Sequence, residues 1–145
     1  MTARRLAALG PDADAYLPGR WHVERSVTDA ALGDGTFAGE AVFAPQGRGL
    51  VWEERGRLRL GRYDGPAART LRVVPDGGAW AVRFADGRPF HRLDLSGGRC
   101  AVAHPCGPDV YEGEYALLGP DAFDVAWTIR GPGKRQRIAS RYRRT

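Results

Sequence analysis

The chain has 145 residues, of which 43% are hydrophobic and 27% are charged, and this ordinary composition excludes disordered and collagen-like proteins. One domain is expected from this length, and no apolar run approaches the roughly 20 residues of a membrane-spanning helix. The net charge is +5, but basic residues are interleaved with acidic ones and no helix-turn-helix, zinc-finger or aromatic-rich RNA motif is present. The sequence therefore argues against nucleic acid and membrane as partners.

The N-terminus carries the only helical pattern of the chain. A short helix that Thr2 caps would end at Gly10-Pro11. The apolar stretch Leu6–Leu9 is too short for the core of a secretory signal, so we expect a cytoplasmic protein. These features predict an N-terminal helical segment over residues 1–18 and a main domain over residues 19–145.

From residue 19 onward, apolar and polar residues alternate in short segments that Gly, Pro and Asp separate. Trp21 and Val23, for example, alternate with His22 and Glu24. About ten such segments follow one another at roughly ten-residue spacing, which is typical of an all-β sandwich or barrel. A meander of antiparallel strands removes its exposed edges by closing. We therefore predict an all-β fold, a closed antiparallel up-and-down barrel of about eight to ten strands with a short N-terminal helix, a size that can hold one small ligand.

A short motif at the start of the first strand sharpens this prediction. Gly19-Arg20-Trp21 resembles the Gly-x-Trp signature that opens the lipocalin-like (calycin) barrels. In those proteins the tryptophan closes one end of the barrel, and an arginine from the last strand packs over its ring. The resemblance implies the same cation–π contact here, made by Arg141 or Arg143.

Further motifs are distributed over nearly the whole chain. The sequence resembles an uncharacterised bacterial family of single-domain proteins, with the pattern Gly-x-Trp, Asp-Gly-Arg-x-Phe-His, His-x-Cys-x-x-Asp-x-Tyr and Gly-Pro-x-Lys. The segments that carry this resemblance beyond the first motif are Asp86–His91, His104–Cys106, Asp109–Tyr111 and Gly131–Lys134. The resemblance implies a fold but no established activity.

Two histidines and a cysteine form the most suggestive group of reactive residues. A hairpin turn at Ser96-Gly97-Gly98 would make His91 and His104 direct cross-strand partners, about 5 Å apart at Cβ. Cys106 follows two residues after His104 and would share its face of a continuous strand. Together the three suit a divalent metal with one open position. Haem with an axial His or Cys is an alternative, and so is a hydrogen-bonded polar pair in the barrel.

The same group also fits acid–base or nucleophilic chemistry. A histidine beside a thiol can activate it, so Cys106 with His91 or His104, oriented by Asp94 or Asp109, has the residue types of a small barrel enzyme. The sequence leaves open whether the chain is an enzyme and whether it holds a metal or haem.

Polar residues on the inward-facing side of the strands suggest a ligand site. Arg25 has the same parity as Trp21, and Glu54 has the same parity as Trp52. An unpaired buried charge is costly, so a buried Arg25 needs an anionic ligand or a carboxylate, and Glu54 is the simplest partner. We therefore expect a barrel that binds a small, partly apolar molecule able to carry an anionic group. The candidate ligand-binding residues are Arg25, Trp52, Glu54, His91, His104, Tyr111 and Trp127.

Overall fold

A computed structural model describes residues 13–145, which form one antiparallel sheet preceded by a single helical turn. The helix α1 spans Ala13–Tyr16 and is far too short to cross a membrane. The strands of this part, numbered in chain order, are β1 Gly19–Asp29, β2 Gly33–Gln46, β3 Gly49–Leu60, β4 Tyr63–Asp76, β5 Ala79–Phe84, β6 Pro89–Leu93, β7 Arg99–Cys106, β8 Asp109–Gly119, β9 Ala122–Gly131 and β10 Lys134–Arg144. The all-β prediction and the count of strands are confirmed, whereas the helix expected from Thr2 to Gly10-Pro11 lies outside the described residues.

Each strand pairs with its neighbours in sequence except that β6 does not pair with β7, and β1 also pairs with β10, so that the sheet curls into a barrel. Alternation produces this fold because every second side chain points to the interior, as in β9, where buried and half-buried residues alternate strictly from Phe123 to Ile129. Glycine forms the tight hairpins: Gly47 and Gly61 have φ values of 58° and 59°, which L residues rarely adopt.

Two glycines oppose one another in neighbouring strands of the sheet. Gly39 of β2 pairs with Gly56 of β3, and a Cβ on either residue would run into the backbone of the opposite strand. The absence of side chains at this point lets the two strands curve sharply, which is how sheets close around a core.

The barrel is nearly closed rather than fully closed, which corrects the sequence prediction. The strand β6 pairs only with β5, and β7 pairs only with β8, although β6 and β7 lie side by side. We call the gap between these two strands the seam. The predicted pairing of His91 with His104 is wrong because no ladder joins β6 to β7, and the cross-strand partners of the two residues are Val82 and Tyr111.

The sequence around the seam explains why no ladder forms there. Pro89 begins β6 and Pro105 lies near the end of β7, and neither residue has an N–H to donate. The connection between the strands is not a two-residue hairpin: Leu95 is buried in the core, and Gly98 donates to its carbonyl oxygen over 3.0 Å. The chain therefore turns inward before β7 begins.

Trp21 is fully buried where β1 begins, and we call this part of the barrel the closed end. The indole Nε1 donates to the carbonyl of Leu17 over 2.9 Å, and an arginine lies over the ring. That arginine is Arg144, whose guanidinium carbon is 4.1 Å from the ring centroid, and not Arg141 or Arg143. Arg144 is the cross-strand partner of Trp21, whereas the Arg141 side chain binds an aspartate on the outer face and Arg143 is exposed.

Candidate functional site

A carboxylate buried in the barrel is the centre of the most polar part of the interior. Glu54 is only 1% exposed. It accepts hydrogen bonds from Arg25 Nη2 (2.9 Å), Arg69 Nε (3.0 Å) and Trp52 Nε1 (2.9 Å), and from the hydroxyl of Tyr142. The ion pair predicted between Arg25 and Glu54 is confirmed. We call these five residues the Glu54 cluster.

The Glu54 cluster carries a net positive charge. Burial alone would raise the pKa of Glu54, but the guanidinium groups of Arg69 and Arg25 and the hydrogen bond from Tyr142 outweigh it and hold the pKa at about 2. Burial raises the pKa of Tyr142, so its hydroxyl stays neutral and donates. One carboxylate and two guanidinium groups leave the Glu54 cluster with a net charge of +1.

A cavity of about 130 Å³ adjoins this cluster. We call it the arginine cavity, and its lining residues are Arg25, Phe37, Glu54, Leu58, Ala67, Ala68 and Arg69. Within the described chain, Nε and Nη2 make all the hydrogen bonds of both arginines, so each Nη1 keeps two N–H donors without a protein partner. The Arg69 side chain is 39% exposed, so the cavity reaches solvent.

The two arginines are held in fixed positions. Arg25 Nε donates to the hydroxyl of Ser140 over 2.6 Å, and the guanidinium carbon of Arg25 lies 4.9 Å from the ring centroid of Phe37. The guanidinium carbon of Arg69 lies 5.2 Å from the ring centroid of Trp52. Such ion-pair and cation–π contacts orient the planar groups before any ligand arrives.

His91 lies elsewhere in the interior, and both of its ring nitrogens are engaged. Nδ1 lies 3.0 Å from the carbonyl oxygen of Arg92, and Nε2 lies 3.1 Å from the hydroxyl of Tyr115. A carbonyl only accepts, so Nδ1 carries the proton and Nε2 accepts from Tyr115. Burial lowers the pKa of His91 to about 4, which keeps the imidazole neutral. The residue is thus a satisfied part of the core.

His104 contacts rings instead of polar groups. It packs edge-on against Phe84, Phe90 and Tyr111, with ring centroids 5.6, 5.2 and 5.9 Å apart. Lys134 Nζ donates to the Tyr111 hydroxyl over 3.4 Å. The two histidines therefore lie on either side of Phe90, which contacts both of them.

Cys106 is not brought to the histidines. It is exposed at the end of β7, opposite Asp109, and both cysteines are free thiols. Over residues 13–145, no group of three or more His, Cys, Asp or Glu side chains is arranged to hold a metal ion. His91, His104 and Cys106 are thus not assembled as a three-ligand set. Haem ligation and acid–base catalysis by these residues stay predictions.

Sequence reasoning missed two residues of the Glu54 cluster, Arg69 and Tyr142. Both carried a usable signal in the sequence, because Arg69 has the parity of the apolar Leu71 and Val73, and Tyr142 that of the apolar Ile138. The parity of Arg69 was hard to recognise in the sequence, because hydrophobic and polar residues do not alternate over Ala67, Ala68 and Arg69.

Comparisons with known proteins place the chain in a family. A family model matches residues 17–144. The chain belongs to DUF6314, a family of unknown function. No curated protein matches it significantly.

Several solved structures share the fold of this member of DUF6314. The S-type phycobiliprotein lyase CPES from Guillardia theta superimposes with a TM-score of 0.71 at 9% identity, over 100% of this chain and 98% of that one. A protein of the DUF3598 family from Nostoc punctiforme has a TM-score of 0.62 at 10% identity, covering 90% of this chain and 48% of that one. Rv2717c from M. tuberculosis has a TM-score of 0.53 at 16% identity, covering 95% and 97%. At these identities the structural similarity shows the fold alone, a nearly closed antiparallel β-barrel.

Proposed function

We propose that this DUF6314 protein binds a small, partly apolar anion in the arginine cavity. The observation that carries the proposal is the charge of +1 in the Glu54 cluster, with Nη1 of Arg25 and of Arg69 unbonded to protein beside apolar walls. A carboxylate or sulfonate would accept from these groups and neutralise the interior. Phe37, Leu58 and Ala67 would contact the apolar part of the ligand.

The arginines are already held in place, which favours the binding of an anionic ligand. Glu54 and Ser140 already hold the guanidinium groups, so little side-chain entropy is lost when a ligand arrives. The apolar walls reduce screening by water and strengthen the attraction between the arginines and an anion. A neutral ligand of the same shape gains only the apolar contacts.

Calorimetric titration of the purified chain with hexanoate and with hexan-1-ol tests the proposal. We expect hexanoate to bind and the neutral alcohol to bind about tenfold or more weakly, because a charge-assisted hydrogen bond is lost. Equal affinity for the two compounds, or no binding of hexanoate, would contradict the proposal.

Two variants and one control variant locate the site. Arg69→Gln is expected to weaken hexanoate about tenfold, whereas Arg72→Gln, three residues along β4 on the outer face, leaves it unchanged. Leu58→Phe narrows the cavity without changing its charge and is expected to weaken hexanoate as well. An Arg69→Gln chain that binds hexanoate as tightly as Arg72→Gln would place the anion elsewhere.

A further inference from the structure

An irregularity in β6 turns an additional aromatic side chain into the barrel. In the β5–β6 ladder, Val82 pairs with His91 and Arg83 pairs with Pro89, so Phe90 has no partner. This is a β-bulge, which re-aims side chains. Consecutive strand residues normally point to opposite faces, yet His91 bonds Tyr115 in the interior and Phe90 also packs against inward-facing rings.

Phe90 fills a flat slot between two other rings. Its ring stacks on Phe84 at 4.7 Å with an interplanar angle of 19°, and on Trp127 at 5.1 Å with an angle of 11°. His104 closes the side of the slot edge-on. Because a group in this slot stacks on one ring at each of its faces, the slot accepts a flat group better than a bulky saturated one.

The position of Phe90 at the seam lets it leave the slot. The strand β6 has five residues and is paired on one side only, and Phe90 itself takes no part in that pairing. Moving its side chain outward breaks no strand ladder on the seam side. Edge segments with few ladder bonds open at low free-energy cost.

The slot lies beside the arginine cavity, because Phe84 is the cross-strand partner of Leu71 and Arg69 lies two positions before Leu71 on the same face of β4. Burial sets the pKa of His91 below its usual range, and the charge of Arg69 lowers it further. Burial raises the pKa of Tyr115, and the charge of Arg69 opposes this change. The charge of Arg69 thus acts on His91, which contacts Phe90, and on Tyr115, which bonds His91.

We infer that the ligand of this barrel carries a flat aromatic or conjugated ring, which takes the place of Phe90 between Phe84 and Trp127 while its anionic group binds at Arg69. Without a ligand, Phe90 occupies the position between the two rings, and it moves out through the seam when the ligand enters. This inference rests on the proposed function, because it needs the anion site at Arg69.

The test compares 2-naphthoate with decahydronaphthalene-2-carboxylate, which has the same charge and carbon skeleton but a saturated, thicker ring system. Calorimetry is expected to show that wild-type chain prefers 2-naphthoate. Phe90→Ala removes the competing ring, so 2-naphthoate is expected to bind about tenfold more tightly than to wild type, while the saturated acid gains much less. Quenching of tryptophan fluorescence by 2-naphthoate is expected to decrease in Trp127→Phe.

Two further variants keep the test decisive. Phe90→Leu retains apolar volume and serves if Phe90→Ala does not fold, and it too is expected to increase the preference for the flat acid. Leu118→Ala removes a half-exposed apolar side chain of β8 outside the slot and is expected to change neither affinity.

The outcomes separate this inference from the proposed function. If hexanoate binds as expected but the Phe90 variants change the preference no more than Leu118→Ala does, Phe90 is a permanent core residue and only the inference fails. If neither hexanoate nor 2-naphthoate binds wild-type chain, the proposed function and the inference fail together.

Discussion

Glu54 is the residue on which the polar interior most depends. It is a fully buried carboxylate, and all of its hydrogen-bonding capacity is used by two arginines, a tryptophan and a tyrosine. Buried ion pairs of this kind contribute little net stability compared with apolar residues, but loss of one partner leaves the others uncompensated. Glu54 thus holds the two arginines in place, and its replacement leaves their charges without a partner.

Replacing Glu54 by Gln is expected to lower the free energy of unfolding by about 3–5 kcal/mol, because Arg25 and Arg69 then lack their counter-charge. Urea denaturation followed by circular dichroism measures this change. Glu53→Gln, on the outer face of the same strand, is the matched control and is expected to have almost no effect. Equal effects of the two substitutions would show that the cluster does not hold the arginines.

The pKa of His91 predicts how stability changes with pH. Its pKa is lowered from 6.5 to about 4 by burial, so the unfolded chain takes up a proton in this range before the folded chain does. The free energy of unfolding should therefore fall by about 3 kcal/mol as the pH decreases from 6.5 to about 4. Glu54 contributes a second loss at lower pH, between 4.5 and about 2, because its pKa is lowered.

His91→Gln separates these two ranges, because an amide can donate to Arg92 and accept from Tyr115 but does not titrate. Denaturation of this variant at several pH values is expected to show a flat stability curve between 6.5 and about 4, with the lower range retained. His22→Gln, which changes an exposed histidine on the outer face of β1, should retain the wild-type slope. A slope that survives in His91→Gln would assign the titration to another group.

Strand parity explains which residues of the site could be predicted from the sequence. Arg25 and Glu54 are spaced by even numbers from buried tryptophans, and their strands are regular, so their meeting in the interior follows from alternation. His91 has the inward parity of Leu93, but its predicted pairing with His104 fails because no ladder joins β6 to β7 and because β6 carries a bulge at Phe90. Nothing local in Pro89-Phe90-His91 distinguishes a bulge from a regular strand.

At the level of elements, β6 and the seam are the weakest part of the barrel. Most strands have neighbours on both sides, whereas β6 is short, bulged and paired only with β5. The alternating pattern predicts the number of strands. It does not predict where pairing stops, because that depends on the prolines of β6 and β7 and on the packing of the buried Leu95. An edge of this kind allows local opening without global unfolding.

Hydrogen exchange is expected to show this difference directly. Backbone amides of β6 should exchange at least about tenfold faster than those of β3, which is paired with both β2 and β4. Deuterium uptake by peptides covering residues 89–93 and 49–60 measures the two rates. Addition of 2-naphthoate should change uptake at the seam and leave β3 unaffected. If the amides of β6 exchanged as slowly as those of β3, the seam would not open locally.

At the scale of the whole molecule, the barrel has a closed end and a cavity that lie apart along the same strand. Trp21 precedes Arg25 by four positions in β1, which corresponds to about 13 Å of strand. Arg144 connects the closed end to two segments of chain, because its guanidinium donates to the carbonyls of Tyr16, Pro18 and Pro120 over 2.8, 2.9 and 3.1 Å. It therefore joins the first and last parts of the barrel without contacting the arginine cavity.

This separation predicts that stability and ligand binding respond to different arginines. Arg144→Lys is expected to lower the free energy of unfolding by about 2 kcal/mol, because an ammonium cannot reproduce the forked hydrogen bonds and the stacking on Trp21. Arg143→Lys, on the outer face one position earlier, is the control and should change stability little. Hexanoate affinity should stay within about twofold of wild type in both variants, since neither residue lines the cavity. A loss of hexanoate binding in Arg144→Lys would mean that the closed end and the cavity are coupled.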